Sequence, residues 1–320
     1  MVQDLKKILG QKSRMEVHLE PRISTMERRL IINVAPSGNV IRPKDYPFLP
    51  ITEQQIAQEA IQSIKAGASI GHIHSARDEQ GVPIETPEAR KRVLDLIFEE
   101  TDFVTSTHVV YDRSREGIDQ FKPLIDSMYG YGRKYIQVCP TLLVSYTFGP
   151  GTVTINEETL EELVPYLEER GIKPEFQCFN LKTIEVVKKL IDNKIARSKP
   201  YFVNLHFGKY HTPPINIDPW SHNLLIVAIE YAHSMLPRQD TVLGVSVGGR
   251  NWLPITALGI ALGVDVVRVG MEDTVWMYPH KDNLLEHNAD AVRKVRTIGE
   301  ALGREVASLE ETRQILGISS

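Results

Sequence analysis

Cysteine is scarce in this chain of 320 residues, since only Cys139 and Cys178 are present. Two cysteines make no disulfide framework, so the sequence indicates a reducing compartment, and we expect the cytoplasm. Long apolar runs are also missing, because no stretch approaches the roughly 18 residues that a membrane span needs. Residues 1–22 carry scattered charge and no apolar core of signal-peptide length. We therefore expect neither a membrane span nor a secretory leader.

An excess of positive charge is absent as well. The chain has 37 Lys and Arg against 41 Asp and Glu, a formal net charge of -4. This balance and the lack of a basic run argue against a nucleic-acid surface. Hydrophobic residues make up 42% of the chain, which is enough for a large core that needs no disulfide or structural metal to be stable. The composition is that of an ordinary globular protein.

Short apolar runs of strand length alternate with longer segments of helical spacing. The apolar runs are residues 30–35, 69–74, 103–108, 135–139, 175–179, 202–207, 242–247 and 264–269. The helical segments are residues 53–66, 87–99, 118–128, 157–170, 181–193, 219–236, 255–262 and 283–302. Strict alternation indicates parallel strands joined by crossover helices, and eight such strands close into a barrel.

An open doubly wound sheet is the competing architecture, and it usually carries G-x-G-x-x-G after its first strand. Here the sequence after the first run is VAPSGN, at residues 34–39. We therefore predict an α/β fold, a (β/α)8 TIM barrel that residues 29–320 form as a single domain. Residues 1–28 fall outside the repeat and are predicted to be an N-terminal extension.

Two histidines lie in the second apolar run, near the strand ends where barrel enzymes carry their chemistry. His72 and His74 are two residues apart on a predicted strand, so both imidazoles point to the same side. In most such pairs, the imidazole nitrogens form hydrogen bonds with backbone carbonyls or carboxylates. From the pair alone, buried core histidines and metal ligands both remain open.

Barrel closure favours the metal interpretation. The first strand borders both the second and the eighth, so Glu272, just past the eighth run, can reach the histidines. Two imidazoles and a carboxylate with an open fourth position are typical of catalytic zinc, although iron, cobalt, nickel and manganese bind similar sets. A solvated acidic pair is the alternative for Glu272 and Asp273, or a simple ion pair of Asp273 with Arg268. Apolar residues flank Glu272 and Asp273 on both sides, which favours carboxylates fixed in the structure over solvated ones.

Several motifs resemble the β-keto acid cleavage enzyme family, typified by 3-keto-5-aminohexanoate cleavage enzyme. They are VAPSG at 34–38, LPIT at 49–52, AGASIGHIHSARD at 66–78, Pro174-Glu175, GGR at 248–250 and VRVGMED at 267–273. The resemblance runs from about residue 29 to the C-terminus. It implies a barrel that is usually a homo-oligomer and binds a divalent metal, most often zinc. It also implies condensation of a β-keto acid with acetyl-CoA and cleavage to acetoacetate and a new acyl-CoA.

The resemblance also assigns roles to individual residues. It matches His72, His74 and Glu272 to the metal ligands, and it matches Arg268 and Asp273 to charge stabilisation and proton transfer. Ser106 and Thr141 fall near positions that bind the keto acid.

Two further candidates follow from their place on predicted strands. His108 ends the third run and faces either the pocket or the core. Arg250 follows two glycines after the seventh strand, where barrels bind phosphate on backbone amides. A CoA phosphate would dock there, and a simple tight turn is the alternative.

The chain departs from the family pattern at three places. Ser75-Ala76 adds a residue before Arg77-Asp78, and His108-Val109 stands where the family has two glycines. Val40 replaces the acidic residue that pairs with the amino group of 3-keto-5-aminohexanoate. Because an apolar side chain cannot pair with an ammonium ion, we expect a neutral or apolar keto acid as substrate.

Two other functions stay open. One is a CoA-independent, metal-dependent aldolase or hydrolase that uses the same ligands. The other is a non-catalytic metal- or metabolite-binding barrel, which the missing glycines and Val40 favour. Arg268 and Asp273 argue against a pure binder, because such a protein needs no base with an orienting cation.

Overall fold

Eight parallel strands close into a barrel in the computed structural model, which describes residues 22–107, 115–142, 144–148, 151–208 and 220–319. The barrel strands are β1 (Ile31–Val34), β2 (Ile70–Ile73), β3 (Val104–Thr107), β4 (Val138–Leu142), β7 (Lys173–Cys178), β8 (Tyr201–Phe207), β9 (Thr241–Val247) and β10 (Val266–Val269). Their order around the barrel is β1-β10-β9-β8-β7-β4-β3-β2. A separate antiparallel hairpin is formed by β5 (Val144–Phe148) and β6 (Gly151–Ile155).

Helices follow most of the barrel strands. They are α1 (Ser24–Glu27), α2 (Glu53–Ala66), α3 (Pro87–Phe98), α4 (Lys122–Tyr131), α5 (Glu157–Glu168), α6 (Leu181–Asp192), α7 (Trp220–Met235), α8 (Trp252–Ala261), α9 (Asn288–Ala301) and α10 (Leu309–Leu316). The start signals read from the sequence act as expected. Thr52 forms a capping box with Gln55, and the side chain of Thr86 accepts a hydrogen bond from the Ala89 amide.

The barrel interior has an apolar floor at the N-terminal ends of the strands. Its side chains are those of Ile31, Ile70, Val104, Val138, Phe202, Val242 and Val266, which pack with Ala307, Leu316 and Ile318. Because strand side chains alternate between the two faces, residues two or four positions further along point inward again. This upper layer is polar and almost fully buried, and it comprises Asn33, His72, Ser106, Glu175, Asn204, Ser246 and Arg268. The floor supplies hydrophobic stabilisation, and the upper layer carries the polar groups.

The predicted barrel is confirmed, with local differences. The fourth strand is Val138–Leu142 and not residues 135–139, because Arg133–Tyr135 form a 3₁₀ turn before it. The β5–β6 hairpin and helix α10 were not predicted. Of the predicted N-terminal extension, residues 1–21 lie outside the described residues, so the division at residue 28 stays a prediction. Within the described ranges, no helix is long and apolar enough to cross a membrane.

Candidate active site

His72, His74 and Glu272 meet at the C-terminal rim of the barrel. His72 lies on β2 and His74 directly follows it, whereas Glu272 follows β10. Because β1 pairs with both β2 and β10, these segments are brought to neighbouring positions. One ligand atom from each residue lies within 4.8 Å of the others. The Oε2 atom of Glu272 is 3.7 Å from His72 Nε2 and 3.5 Å from His74 Nε2.

These separations fit a shared cation. Direct N–H···O hydrogen bonds are shorter, roughly 2.7–3.2 Å. Two ligand atoms about 2.1 Å from a tetrahedral ion lie about 3.4 Å apart, close to the observed distances. Both histidines are 1% exposed, and Glu272 Oε2 is a buried atom. Two nitrogens and one carboxylate oxygen are therefore arranged as a divalent metal ion requires.

The charges around the cluster favour an ionised carboxylate. Burial alone would raise the pKa of Glu272, but the charges of Arg268 and of the two imidazoles outweigh it and hold this pKa well below the ordinary value. Arg268 Nη2 lies 2.6 Å from Glu272 Oε1. Burial opposes the protonation of His74, yet Glu85 and Glu272 raise its pKa above the ordinary value. The cluster therefore offers an ionised carboxylate beside two imidazoles, a donor set that a cation can bind.

Gly38 makes room for the acidic ligand. Its φ is +61°, and a Cβ added there would lie 2.3 Å from Glu272 Cγ. Glycine adopts this backbone conformation without steric cost and leaves that space open. The VAPSG motif thus has a physical role, because it lets the loop after β1 pass close to Glu272.

Arg268 and Asp273 form a buried ion pair beside the cluster. Arg268 donates from Nε to Asp273 Oδ2 at 3.0 Å and from Nη2 to Asp273 Oδ1 at 3.1 Å. Ser246 Oγ donates to Asp273 Oδ2 at 3.3 Å. The same guanidinium therefore contacts Glu272 and Asp273. A permanently charged, planar donor thus holds the Asp273 carboxylate in one orientation beside the three-ligand cluster.

Ser106 lies behind His72, within a network centred on Glu175. Ser106 Oγ is 3.1 Å from His72 Nδ1 and donates to Glu175 Oε2 at 3.3 Å. Asn204 Nδ2 donates to Glu175 Oε1 at 2.7 Å, and Glu175 is fully buried. The sequence argument assigned no role to Glu175. An acidic residue inside an apolar run, next to Pro174, was the signal that could have identified it.

Thr141 is not brought to the cluster. Thr141 is in register with Phe176 of the neighbouring strand β7. Glu175, the residue before Phe176, faces the barrel interior. Because side chains alternate along a strand, Phe176 and Thr141 both face outward. The Thr141 hydroxyl donates to the Glu175 carbonyl at 3.0 Å. His108 lies outside the described residues. Binding of the keto acid by Thr141 or His108 stays a prediction.

Arg250 lies on the surface, away from the cluster. Its guanidinium donates to Asp282 Oδ1 at 2.7 Å and stacks on the ring of Trp276 at 3.6 Å. The amides of Gly248 and Gly249 donate to the carbonyls of Phe207 and Asp273. The segment is a tight turn whose glycine amides are already used, and phosphate binding by Arg250 stays a prediction.

Arg77 and Asp78 shape loops. Arg77 donates to four backbone carbonyls, those of Ser37, Gly38, Ile41 and Gly81. Burial lowers the pKa of Arg77 to about 10, so the side chain is still charged at neutral pH. Asp78 accepts hydrogen bonds from the amides of Gln80 and Val82. Arg77 therefore joins the loops after β1 and β2, whereas Asp78 stabilises a turn within the second of them.

The chain is similar over most of its length to one family of known enzymes. The family model for beta-keto acid cleavage enzyme matches residues 29–318. The chain is 27% identical to 3,5-dioxohexanoate:acetyl-CoA acetone transferase of Paraburkholderia graminis, covering 91% of this chain and 96% of that protein. It is 28% identical to 3-keto-5-aminohexanoate cleavage enzyme of Fusobacterium nucleatum, covering 92% and 99%.

A solved structure shares the fold. The ternary complex of ObcA with a C4-CoA adduct and oxalate superposes with a TM-score of 0.66 at 17% identity, covering 85% of this chain and 68% of that one. At that identity the likeness concerns the fold alone. The family model spans nearly the whole barrel, and the resemblance seen in the motifs is confirmed. The chain belongs to the β-keto acid cleavage enzyme family.

Proposed function

We propose that this protein condenses a β-keto acid with acetyl-CoA, in a metal-dependent reaction, and cleaves the adduct to acetoacetate and a new acyl-CoA. The observation that carries the proposal is the buried His72, His74 and Glu272 cluster beside the Arg268–Asp273 pair. Membership of the family supports the reaction type. The name of the Paraburkholderia graminis relative supports acetyl-CoA as the co-substrate.

A divalent ion, zinc by preference, would be held by His72, His74 and Glu272. Two imidazole nitrogens favour zinc over magnesium, which takes oxygen ligands. When bound, such an ion supplies Lewis-acid polarisation of a carbonyl oxygen. The hydrogen bond of each histidine through Nδ1 leaves its Nε2 facing Glu272.

Asp273 is the residue we assign to proton transfer. A carboxylate oxygen of Asp273 accepts the proton that must leave the carbon next to the keto group. Arg268 fixes the orientation of this carboxylate through two hydrogen bonds and stabilises negative charge that develops nearby. Ser246 adds a third hydrogen bond to Asp273. These groups lie in a buried layer where electrostatic interactions are strong.

The substrate we favour is a neutral or apolar β-keto acid. Val40 is half-buried in the loop after β1, between Asn39 and Ile41, whose carbonyls accept from Arg42 and Arg77. Two guanidinium groups and an apolar side chain disfavour a substrate ammonium group there. We keep Ser106, Thr141, His108 and Arg250 as the remaining substrate-binding candidates.

Incubation with acetyl-CoA and a panel of β-keto acids tests the reaction. We expect acetoacetate and a new acyl-CoA in equal amounts, with no turnover in the absence of acetyl-CoA. Cleavage without CoA would instead indicate a metal-dependent aldolase or hydrolase. Metal bound without any turnover would indicate a binding protein.

Metal analysis of His72→Ala beside the unmodified protein tests the site. We expect about one zinc ion per chain in the unmodified protein and a large loss in the variant. Equal metal content in the two proteins would remove the assignment of His72, His74 and Glu272 as ligands.

We also propose a homo-oligomer, a dimer or a tetramer. Helix α8 contains no charged residue, and its outward side chains Leu253, Ala257 and Leu258 are only half-buried. An all-apolar helix is usually covered on every side, so a second copy of the chain is the cover we favour. The molar mass in solution checks this.

The buried free thiols of Cys139 and Cys178 suit the cytoplasm as location.

A further inference from the structure

The two histidines of the cluster have different partners behind them. His72 Nδ1 meets a neutral hydroxyl, Ser106 Oγ, at 3.1 Å. His74 Nδ1 instead lies 2.8 Å from Glu85 Oε1. The other oxygen of Glu85 pairs with Arg90 Nη2. His74 is therefore backed by a carboxylate that is itself held by an arginine.

The start of helix α3 fixes this carboxylate. Thr86 caps the helix by accepting from the Ala89 amide at 3.2 Å, and Pro87 is the first helical residue. Glu85 precedes the cap and Arg90 is the fourth helical residue. These two positions lie against each other at a capped helix start, where an apolar pair is often found. Here an ion pair occupies them, so Glu85 is anchored by regular structure.

The ion pair and His74 are largely buried. The side chain of Arg90 is 0% exposed, that of His74 is 1% exposed and that of Glu85 is 14% exposed. Taking a guanidinium fully out of water costs several kcal/mol unless it is well paired. An apolar pair would close the helix start without that cost. The ion pair is explained by what its carboxylate does on its other side, where it meets His74.

We propose that Glu85 is a positioning residue of the metal site: it accepts the Nδ1–H of His74 and thereby fixes Nε2, which faces Glu272, as the ligand atom. This inference rests on the proposed metal site. Arg90 pairs with the carboxylate and holds it aligned. Carboxylates that receive the second N–H of a ligand histidine orient the ring and raise its basicity, and their loss weakens metal binding by about 10–100-fold.

Zinc affinity tests the proposal, measured by competition with a chromophoric chelator so that no turnover is needed. Glu85→Gln keeps the size of the side chain and removes its charge. We expect it to weaken zinc binding by about 10–100-fold. Glu79→Gln is the matched control, because Glu79 lies exposed in the same loop region. We expect this control to bind zinc like the unmodified protein.

A second variant separates positioning from folding. Glu85→Gln leaves the buried Arg90 without its carboxylate, so its melting temperature should fall. The double variant Glu85→Gln, Arg90→Met removes both charges, and we expect it to regain stability but keep the weakened zinc binding. A double variant that binds zinc as tightly as the unmodified protein overturns the role of Glu85. Absence of zinc binding by the unmodified protein overturns the proposed metal site instead.

Discussion

Replacing Gly38 by alanine should disable the metal site although no ligand is changed. The added Cβ would lie 2.3 Å from Glu272 Cγ, whereas ordinary contact begins at 3.4 Å, so Glu272 must shift by about 1.1 Å, the difference. Metal–ligand distances tolerate only about 0.2 Å. The carboxylate therefore leaves the three-ligand set, and we expect zinc affinity to fall at least tenfold, which corresponds to about 1.4 kcal/mol or more.

Gly303→Ala is the matched control for this prediction. Gly303 also has positive φ, +79°, and no described atom lies within 4 Å of a Cβ placed there. Both variants should lose about 1–2 kcal/mol of unfolding free energy because alanine is strained in the left-handed region. Gly38→Ala should lose more than this, because it also displaces Glu272. Chemical denaturation of the metal-free proteins measures that loss, and chelator competition measures zinc affinity. Equal zinc affinity in the two variants would refute the reasoning about Glu272.

Three further predictions concern Asp273, Val40 and Lys173. Asp273→Asn should fold and keep its metal, but kcat should fall by about 10²–10⁴-fold in the acetyl-CoA assay, because a general base is lost; near-full turnover would remove Asp273 from the mechanism. Val40→Glu should raise kcat/KM for an amino-substituted β-keto acid relative to its neutral counterpart, with Val40→Gln as the uncharged control; an unchanged ratio would contradict the role of residue 40. Burial lowers the pKa of Lys173 from 10.5 to about 8. Between these two values the unfolded chain binds more protons than the folded protein, so this lysine makes stability rise with pH there. Lys173→Met should lack that rise when unfolding free energy is measured against pH, and parallel curves for the two proteins would contradict the assignment.

Much of the fold was predictable because its signals are local or topological. Helix α2 occupies the predicted residues 53–66, since its capping box and apolar face lie within the helix. Barrel closure followed from the count of alternating units. The fourth strand was misplaced because Tyr135 and Ile136, at the end of the 3₁₀ turn, continue without a break into the apolar strand, so no periodicity marks the boundary. The β5–β6 hairpin was missed because it lies between β4 and α5, outside the strand–helix alternation that the sequence argument counted.

The convergence of His72, His74 and Glu272 was predictable because strand order alone brings these residues together. His72 and Glu272 lie on segments that flank β1, and the closed barrel admits no other neighbours for that strand. Glu85 and Arg90 were not found, although Thr86 and Pro87 marked the helix start between them. The contact of Glu85 with His74 depends on the path of the loop after β2. Side-chain contacts that depend on the path of a loop leave no periodic signal in the sequence.

Arg77 has a consequence for how such enzymes can diverge. Its guanidinium joins the loop after β1 to the loop after β2 through backbone carbonyls alone. Backbone carbonyls are present whatever the side chains are. Substitutions at residues such as Asn39 and Val40 therefore leave acceptors for Arg77 in place, and its hydrogen bonds maintain the shape of the rim. Lysine could not replace Arg77, because it lacks the planar fork that reaches several acceptors at once. The scaffold thus lets the side chains of the loop after β1 change while its backbone stays in place beside Glu272.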